Sequence, residues 1–550
     1  MICEPIAHGA LLKAKKMGFV NSNLLTLITF APVLGAVLVL LAPSNRPNLI
    51  RWGAVAFSLI PLALSIIMWV GYDNVAGGYQ FREQATWFPQ INSTYKLGVD
   101  GISIPLIVLN AFLTPLAMLV SFSVEKSVKI YYALFFLLQM AVFGVFVSLD
   151  LVLFFVFYEL SLVPMFFLIN QWGGANRRYA SMKFILYTMF GSLGMLLAIQ
   201  VIGLASKSFD LEFLSSIVGR PFTGANQVNI WFGSENSGFW RNFAFVTFVI
   251  AFAIKIPVWP FHTWLPDAHT EAPTGGSMML AGILLKLGAY GLIRLVIPMF
   301  PSVWGESVLP GITWATMLAI LAMLSIVLGA FAAWGQNDFK KLVAYSSVNH
   351  MGFVALGVAA AALSLSKAAN ADALSANIAA SGAVLQMITH GLSSAAMFAM
   401  VGIVYDRAHT RDLTRFGGLW DIMPKYGAIL IFCAMGSLGL PGLAGFVSEF
   451  MVIRGAWSVY PVITGLSMFG LLVTGIYILK SIQKVLHGPL AHEWEHHPLK
   501  DINKIELLGV VPLMLAMLAI GLWPRISLDV INTGVARLMD VAGQVVALAK

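Results

Sequence analysis

Four ionisable residues lie deep inside long apolar runs: Glu159 after LVLFFVFY, Lys255 after AFVTFVIAFAI, Lys286 within MMLAGILLKLGAYGLI and Glu449 after LPGLAGFVS. A charge at the centre of a membrane helix costs roughly 2.5–3.5 kcal/mol to insert, so such residues face protein or water and mark ion or proton routes. Burial raises a Glu pKa and lowers a Lys pKa, which brings both toward neutral pH. A Glu–Lys pair opposes that drift, and separating the pair releases it. Glu159 and Lys255 therefore have the makings of a switch in a proton relay. One such pair can equally be static glue between helices, but four charges in four apolar runs favour a path. His350 and His390 lie in further apolar runs. Histidine titrates near neutral pH and suits a relay, while a satisfied structural histidine is the plainer role.

The elements that carry these residues are membrane helices. Hydrophobic residues make up 59% of the 550 and charged residues 11%, against about 25% charged in soluble domains. Fourteen apolar spans read out at roughly 24–42, 51–72, 101–122, 129–149, 151–171, 179–204, 242–265, 276–300, 312–334, 339–363, 378–405, 425–453, 459–482 and 505–524. An even count puts both termini on one side. With the first 16 residues set aside, Lys and Arg are richer on the opposite loops, which places the termini outside. The net charge of +8 is then a matter of topology and implies no nucleic acid. Cys3 and Cys433 give no metal motif and no means of holding an iron–sulfur cluster.

Two spans are interrupted. Pro257 and Pro260 follow Lys255, and Pro441 sits among glycines just before Glu449. The breaks are five spans apart, so spans 4–8 and 9–13 read as a repeated five-helix unit. An odd unit repeated in tandem is inverted in the membrane, which is a transporter architecture. The expected fold class is an all-α polytopic membrane protein of about 14 transmembrane helices, with two inverted repeats that each hold a broken helix. The expected domains are an N-terminal extension at 1–23 with a mis-assigned start upstream of Met17, peripheral helices at 24–125, repeats at 126–301 and 302–485, and a polar loop, last helix and tail at 486–550.

Other polar residues have plainer readings beside the functional one. Lys340 and Lys341 either reach the path or snorkel from a loop. Arg294, two turns beyond Lys286, reads as an interfacial anchor. Asp267, His269 and Glu271 in WLPDAHTEAPTGGS line a water entry or simply build a turn. HEWEHHP at 492–498 reads as a solvated loop, and GLPGLAG as helix-breaking and close-packing glycines.

Several segments together carry a family resemblance. FYELSLVPMFFLI, RRYASMKFILYT, LGVDGIS, KIPVWPFHTWLPDAHTEAPT, LLKLGAYGLIR, FKKLVAYSSVNHMGF and GLPGLAGFVSEF resemble the antiporter-like chain M (chain 4) of NADH:quinone oxidoreductase, respiratory complex I. The likeness spans roughly 95–455 and departs from the family in the N-terminal extension and a longer linker near 364–378. It implies that Glu159 pairs with Lys255, that Lys286 is the central relay residue, and that Glu449 ends the path where sister chains have Lys. It also implies proton translocation coupled to quinone reduction, with no cofactor in this chain and with FMN, iron–sulfur clusters and quinone on partner subunits. The implied partners are membrane-arm subunits of the L and N type and the lipid bilayer. The implied location is the bacterial inner membrane or an equivalent energy-converting membrane. A subunit of a multi-subunit Na⁺/H⁺ antiporter and a membrane subunit of a hydrogenase complex are the alternatives.

Overall fold

A computed structural model describes residues 22–217, 237–366 and 373–547. Residues 1–21 of the N-terminal extension and 367–372 of the 364–378 linker lie outside these residues. The first helices are α1 (Leu24–Leu41), α2 (Pro47–Gly71), α3 (Ser103–Val120), α4 (Val128–Val147) and α5 (Leu151–Trp172). They are followed by α6 (Arg177–Ser206), α7 (Leu211–Ile217), α8 (Ser237–Lys255), α9 (Trp264–Glu271) and α10 (Thr274–Met299). The second half holds α11 (Trp314–Trp334), α12 (Phe339–Ser366), α13 (Ala373–Ala408), α14 (Pro424–Leu438), α15 (Ala444–Trp457) and α16 (Pro461–Leu486). The chain closes with α17 (Lys504–Leu522) and α18 (Arg525–Ala547).

Among the described residues, 13 helices are long and apolar enough to cross a membrane. The one further expected span, the twelfth at 425–453, is present as two shorter helices, α14 and α15, because Gly439 takes a left-handed conformation at the end of α14 and Gly442 another in the link. The other break separates α8 from α9. There the freed backbone groups find side chains: Trp259 N–H donates to Ser325 Oγ at 2.8 Å, and Trp264 Nε1 donates to the Ile254 carbonyl at 3.0 Å. Such satisfaction is what permits irregular backbone at membrane depth. Each break falls in the fourth span of a five-span group.

The core is not evenly shared. Helices α10 and α13 are enclosed along their whole apolar windows and α12 nearly so, whereas α1, α2, α6, α16 and α17 show much of their surface outward. The third expected peripheral helix, α3, is almost completely buried. It stands apart from α1 and α2 because it packs against α2, α4, α10, α13 and α17.

Two features depart from the expected layout. An antiparallel hairpin, β1 (Gln80–Phe88) with β2 (Ser93–Val99), fills the segment between α2 and α3. It supplies the caps that several helix starts lack. Glu83 accepts from Leu25 N–H at 2.7 Å and Thr26 N–H at 3.1 Å at the start of α1. Asp100, just after β2, accepts from the N–H groups of Ile102 and Ser103. Asp150 caps α5 through Val152 and Leu153 N–H while accepting from Ser93 and Thr94 of the hairpin. Each satisfies donors that a helix start leaves orphaned. The second departure is the C-terminal tail, which forms the 23-residue helix α18. Its buried Ile531, Val535, Leu538 and Ala542 recur at helical spacing.

Candidate functional site

Lys286 is the thirteenth of the 26 residues of α10, so it sits midway across the membrane. The helix changes pitch around it: Leu280–Leu284 and Leu292–Val296 are π-helical turns. π turns are rare and cluster at functional sites. The first of them lets the fully buried Lys286 ammonium donate to the carbonyl of Ala281, five residues back. The second partner of the ammonium is His390 on α13, with Nζ 2.8 Å from Nδ1. The two helices meet closely because Gly391 lies against Gly282, where a Cβ on Gly391 would stand 2.7 Å from the Gly282 carbonyl oxygen.

From His390 the polar side chains continue across the core. Its Nε2 is 3.2 Å from Ser347 Oγ on α12, and its ring lies 5.7 Å from that of His350, centroid to centroid. His350 Nδ1 is 2.8 Å from Glu449 Oε1. The same oxygen accepts from Gln386 Nε2 at 3.3 Å. Thr389 and Ser448 close a small network with Gln386 around the carboxylate. Glu449 leans over the break in its span, where a Cβ on Gly439 would lie 2.9 Å from Oε2. Four helices, α10, α13, α12 and α15, thus place Lys286, His390, His350 and Glu449 in one line, each at least nine-tenths buried.

The first-half residues are arranged differently. Lys255 ends α8, where a helix C-terminus favours a cation. Its Nζ lies 4.9 Å above the Tyr158 ring and has no hydrogen-bond partner. The expected Glu159–Lys255 ion pair is absent: the ammonium rests on the aromatic neighbour of Glu159 instead. Glu159 is only half-buried, beside Ser192. It shares its side of α5 with Val156, Val163 and Phe167, which are 41%, 45% and 42% exposed. Glu159 thus lies at the edge of the bundle, with its Oε1 buried and without a hydrogen-bond partner. Helices α8 and α10 touch backbone to backbone, since a Cβ on Gly288 would stand 2.8 Å from both Lys255 Cβ and the Phe252 carbonyl oxygen. No hydrogen bond joins Lys255 to Lys286.

The remaining candidates divide. Lys340 points inward, buried, and donates to the Ala272 carbonyl, while Lys341 stays partly exposed. Asp267 pairs with Lys183 at 2.7 Å, and Glu271 accepts from Asn176 N–H at 2.9 Å. His269 stacks on Phe398 at 4.5 Å with neither ring nitrogen hydrogen-bonded. Arg294 is no lipid-facing anchor: it is buried and paired with Asp100. In the 492–498 segment a helical turn forms, and Glu493 pairs with Arg415 at 2.5 Å. Sequence reasoning missed Ser347, Gln386, Thr389 and Ser448. Their signal was present, since each is a polar residue within about one turn of a buried His or Glu in an otherwise apolar helix.

An enclosed row of titratable groups at mid-membrane, between two broken helices, defines an antiporter-like membrane subunit. Residues 148–476 match the family model described as NADH:quinone oxidoreductase/Mrp antiporter, TM. Residues 36–149 match that of NADH-ubiquinone oxidoreductase chain 4, amino terminus. The chain is 38% identical to NADH-quinone oxidoreductase subunit M of Rhodobacter capsulatus over 94% of its own length and 96% of the relative's. It is 36% identical to the subunit of that name from Rickettsia conorii, covering 94% and 98%. Its structure is similar to a chain of respiratory complex I from Thermus thermophilus with bound NADH, with a TM-score of 0.78 at 28% identity, covering 94% and 99%. A chain of the Mrp complex from Dietzia shares the fold, with a TM-score of 0.79 at 20% identity, covering 96% and 100%. The chain belongs to the subunit M family of NADH:quinone oxidoreductase, an integral membrane subunit of that enzyme complex.

Proposed function

We propose that this subunit carries protons along a mid-membrane line formed by Glu159, Lys255, Lys286, His390, His350 and Glu449, driven by quinone reduction in other subunits. The observation that carries the reading is the polar line from Lys286 to Glu449, which crosses four helices inside an apolar core. Each member gains or loses a proton without leaving its place. Lys286 passes a proton to His390 across 2.8 Å, and His350 passes one to Glu449 across 2.8 Å. The step between the two histidines spans the 5.7 Å between their rings and is the natural point of control. In the first half, Lys255 is held by the Tyr158 ring, so a charge arriving beside Glu159 draws the ammonium off the aromatic face and changes its proton affinity. FMN, iron–sulfur clusters and quinone belong to partner subunits in this scheme.

Glu159 also supports an arrangement among partners. A carboxylate beside an exposed apolar stripe is costly next to lipid, so a sister subunit of the L or N type covers this face. The complex then sits in the bacterial inner membrane or an equivalent energy-converting membrane, with both termini outside. The five-span groups are inverted repeats in this account. The fold shared with the Mrp chain supports one other reading, a Na⁺/H⁺ antiporter subunit with the same ion path. Native purification in mild detergent with mass spectrometry decides between them: co-purifying iron–sulfur and quinone-site subunits establish the redox-driven pump, and small membrane subunits alone overturn it. Within the assembled complex, Lys286→Ala or Glu159→Ala abolishes pumping, and normal pumping in either variant removes that residue from the relay.

A further inference from the structure

Lys286, Tyr290 and Arg294 stand at successive four-residue steps on α10 and share one face of the helix. Eight residues rise about 12 Å, which takes this face from mid-membrane to the side that bears the hairpin. There a cavity of about 380 Å³ opens between the hairpin, α10 and α18. Exposed Arg82 and Arg537 stand in its lining, and buried Arg294 and Asp100 also line it. The Arg294 guanidinium is clamped. It pairs with Asp100, donates to Tyr79 Oη at 3.0 Å, and lies over the Tyr79 and Tyr290 rings at 5.0 and 5.6 Å. Its Nε has no hydrogen-bond partner and is fully buried. Asp100 is fixed in turn by the N–H groups of Ile102 and Ser103.

We infer that Arg294 is an electrostatic seal that keeps protons on Lys286 from escaping through this cavity. The inference rests on the relay reading of Lys286. A guanidinium does not give up its proton in a protein, so it cannot serve as a relay step itself. Its positive charge opposes a proton on the same helix face, as fixed positive charge does in pores that exclude protons. It also occupies Asp100, while Glu212, the other carboxylate of the lining, is paired with Arg82 and Lys96. Removing one unit charge about 12 Å away, at an effective dielectric of about 20, is enough to change proton occupancy about tenfold. The seal makes transfer sideways to His390 the favoured exit from Lys286, which is what keeps pumping coupled.

The test uses the whole complex in proteoliposomes, with an imposed pH gradient and a pH-sensitive dye inside. Arg294→Met is expected to collapse the gradient at least about tenfold faster than wild type. Asp100→Asn breaks the same ion pair but keeps the guanidinium, so it is expected to stay tight. Leak in both variants alike means that packing, not charge, closes the cavity, and overturns the inference. Tight vesicles with Arg294→Met overturn it as well. Arg294→Gln gives the same reading if the Met variant does not assemble. Adding Lys286→Ala to Arg294→Met separates the two claims: the leak stops if it runs through Lys286. A leak that persists does not run through Lys286 and overturns the inference, while the relay reading is judged separately by pumping in Lys286→Ala.

Discussion

The two halves of the core use the same kinds of residue in opposite ways. In the second half, His390, His350 and Glu449 are bonded to each other or to Ser347, Gln386 and, through it, Thr389 and Ser448. In the first half, Lys255 rests on an aromatic face without a hydrogen bond, and Glu159, at the edge of the bundle, leaves a buried oxygen unpartnered. A buried hydrogen-bonded network holds a path in place, and here it leaves His350 Nε2 as the one unpartnered ring nitrogen of its two histidines. An unsatisfied cation is poised to move. The difference suggests that the first half senses a neighbour and the second half conducts, with Lys286 and His390 as the joint between them.

The largest effect that separates the halves should come from Glu449→Gln. Glutamine keeps an acceptor for His350 but cannot take the proton, so assembly is kept and pumping falls by roughly 100-fold, within the range that a positioned proton-transfer group supplies. Assembly and NADH-driven acidification of vesicles check this together, and near-normal acidification contradicts a conducting second half. Gly288→Ala comes next. Its Cβ would meet backbone at the α8–α10 contact, and overpacking of that kind costs about 1–3 kcal/mol. Thermal unfolding of the purified complex should show the loss, and an unchanged profile means the contact is looser than described. Tyr158→Leu removes the surface under Lys255, worth about 2 kcal/mol when desolvated. Because Lys255 is then free, pumping should change more than stability does, and the reverse order argues for a structural pair. The smallest effect belongs to Asp150→Asn, which keeps an oxygen for the α5 cap and so costs only about 0.5 kcal/mol or less. Asp150→Ala should cost about 1–2 kcal/mol.

Much of this was legible in the residues. Apolar runs of membrane length declare their spans locally, and proline with glycine declares the two breaks in the same way. The ionisable residues stand out because the surrounding run makes them expensive. What could not be read is who faces whom. Lys286 reaches His390 through a π turn and a glycine–glycine crossing, both set by packing between distant helices. Glu159 sits at the edge of the bundle for the same reason, and its expected bond to Lys255 gives way to Tyr158, one residue before it. The hairpin hid in the stretch between the second and third spans, to which the apolar pattern assigns no element, although Glu83, Asp100 and Asp150 are ordinary capping residues. Arg294 read as an anchor because its partner Asp100 lies nearly 200 residues earlier in the chain.

The joint between the halves is the place to press the account. His390 is the one titratable side chain within hydrogen-bond distance of the Lys286 ammonium among the described residues. The measurement is the number of protons moved per NADH oxidised by complex carrying His390→Phe, in proteoliposomes, with native gels confirming assembly. The account predicts an assembled complex whose proton yield is lost or sharply reduced. An assembled complex with the wild-type yield would show that protons cross from Lys286 by another way, and the line to Glu449 would fall.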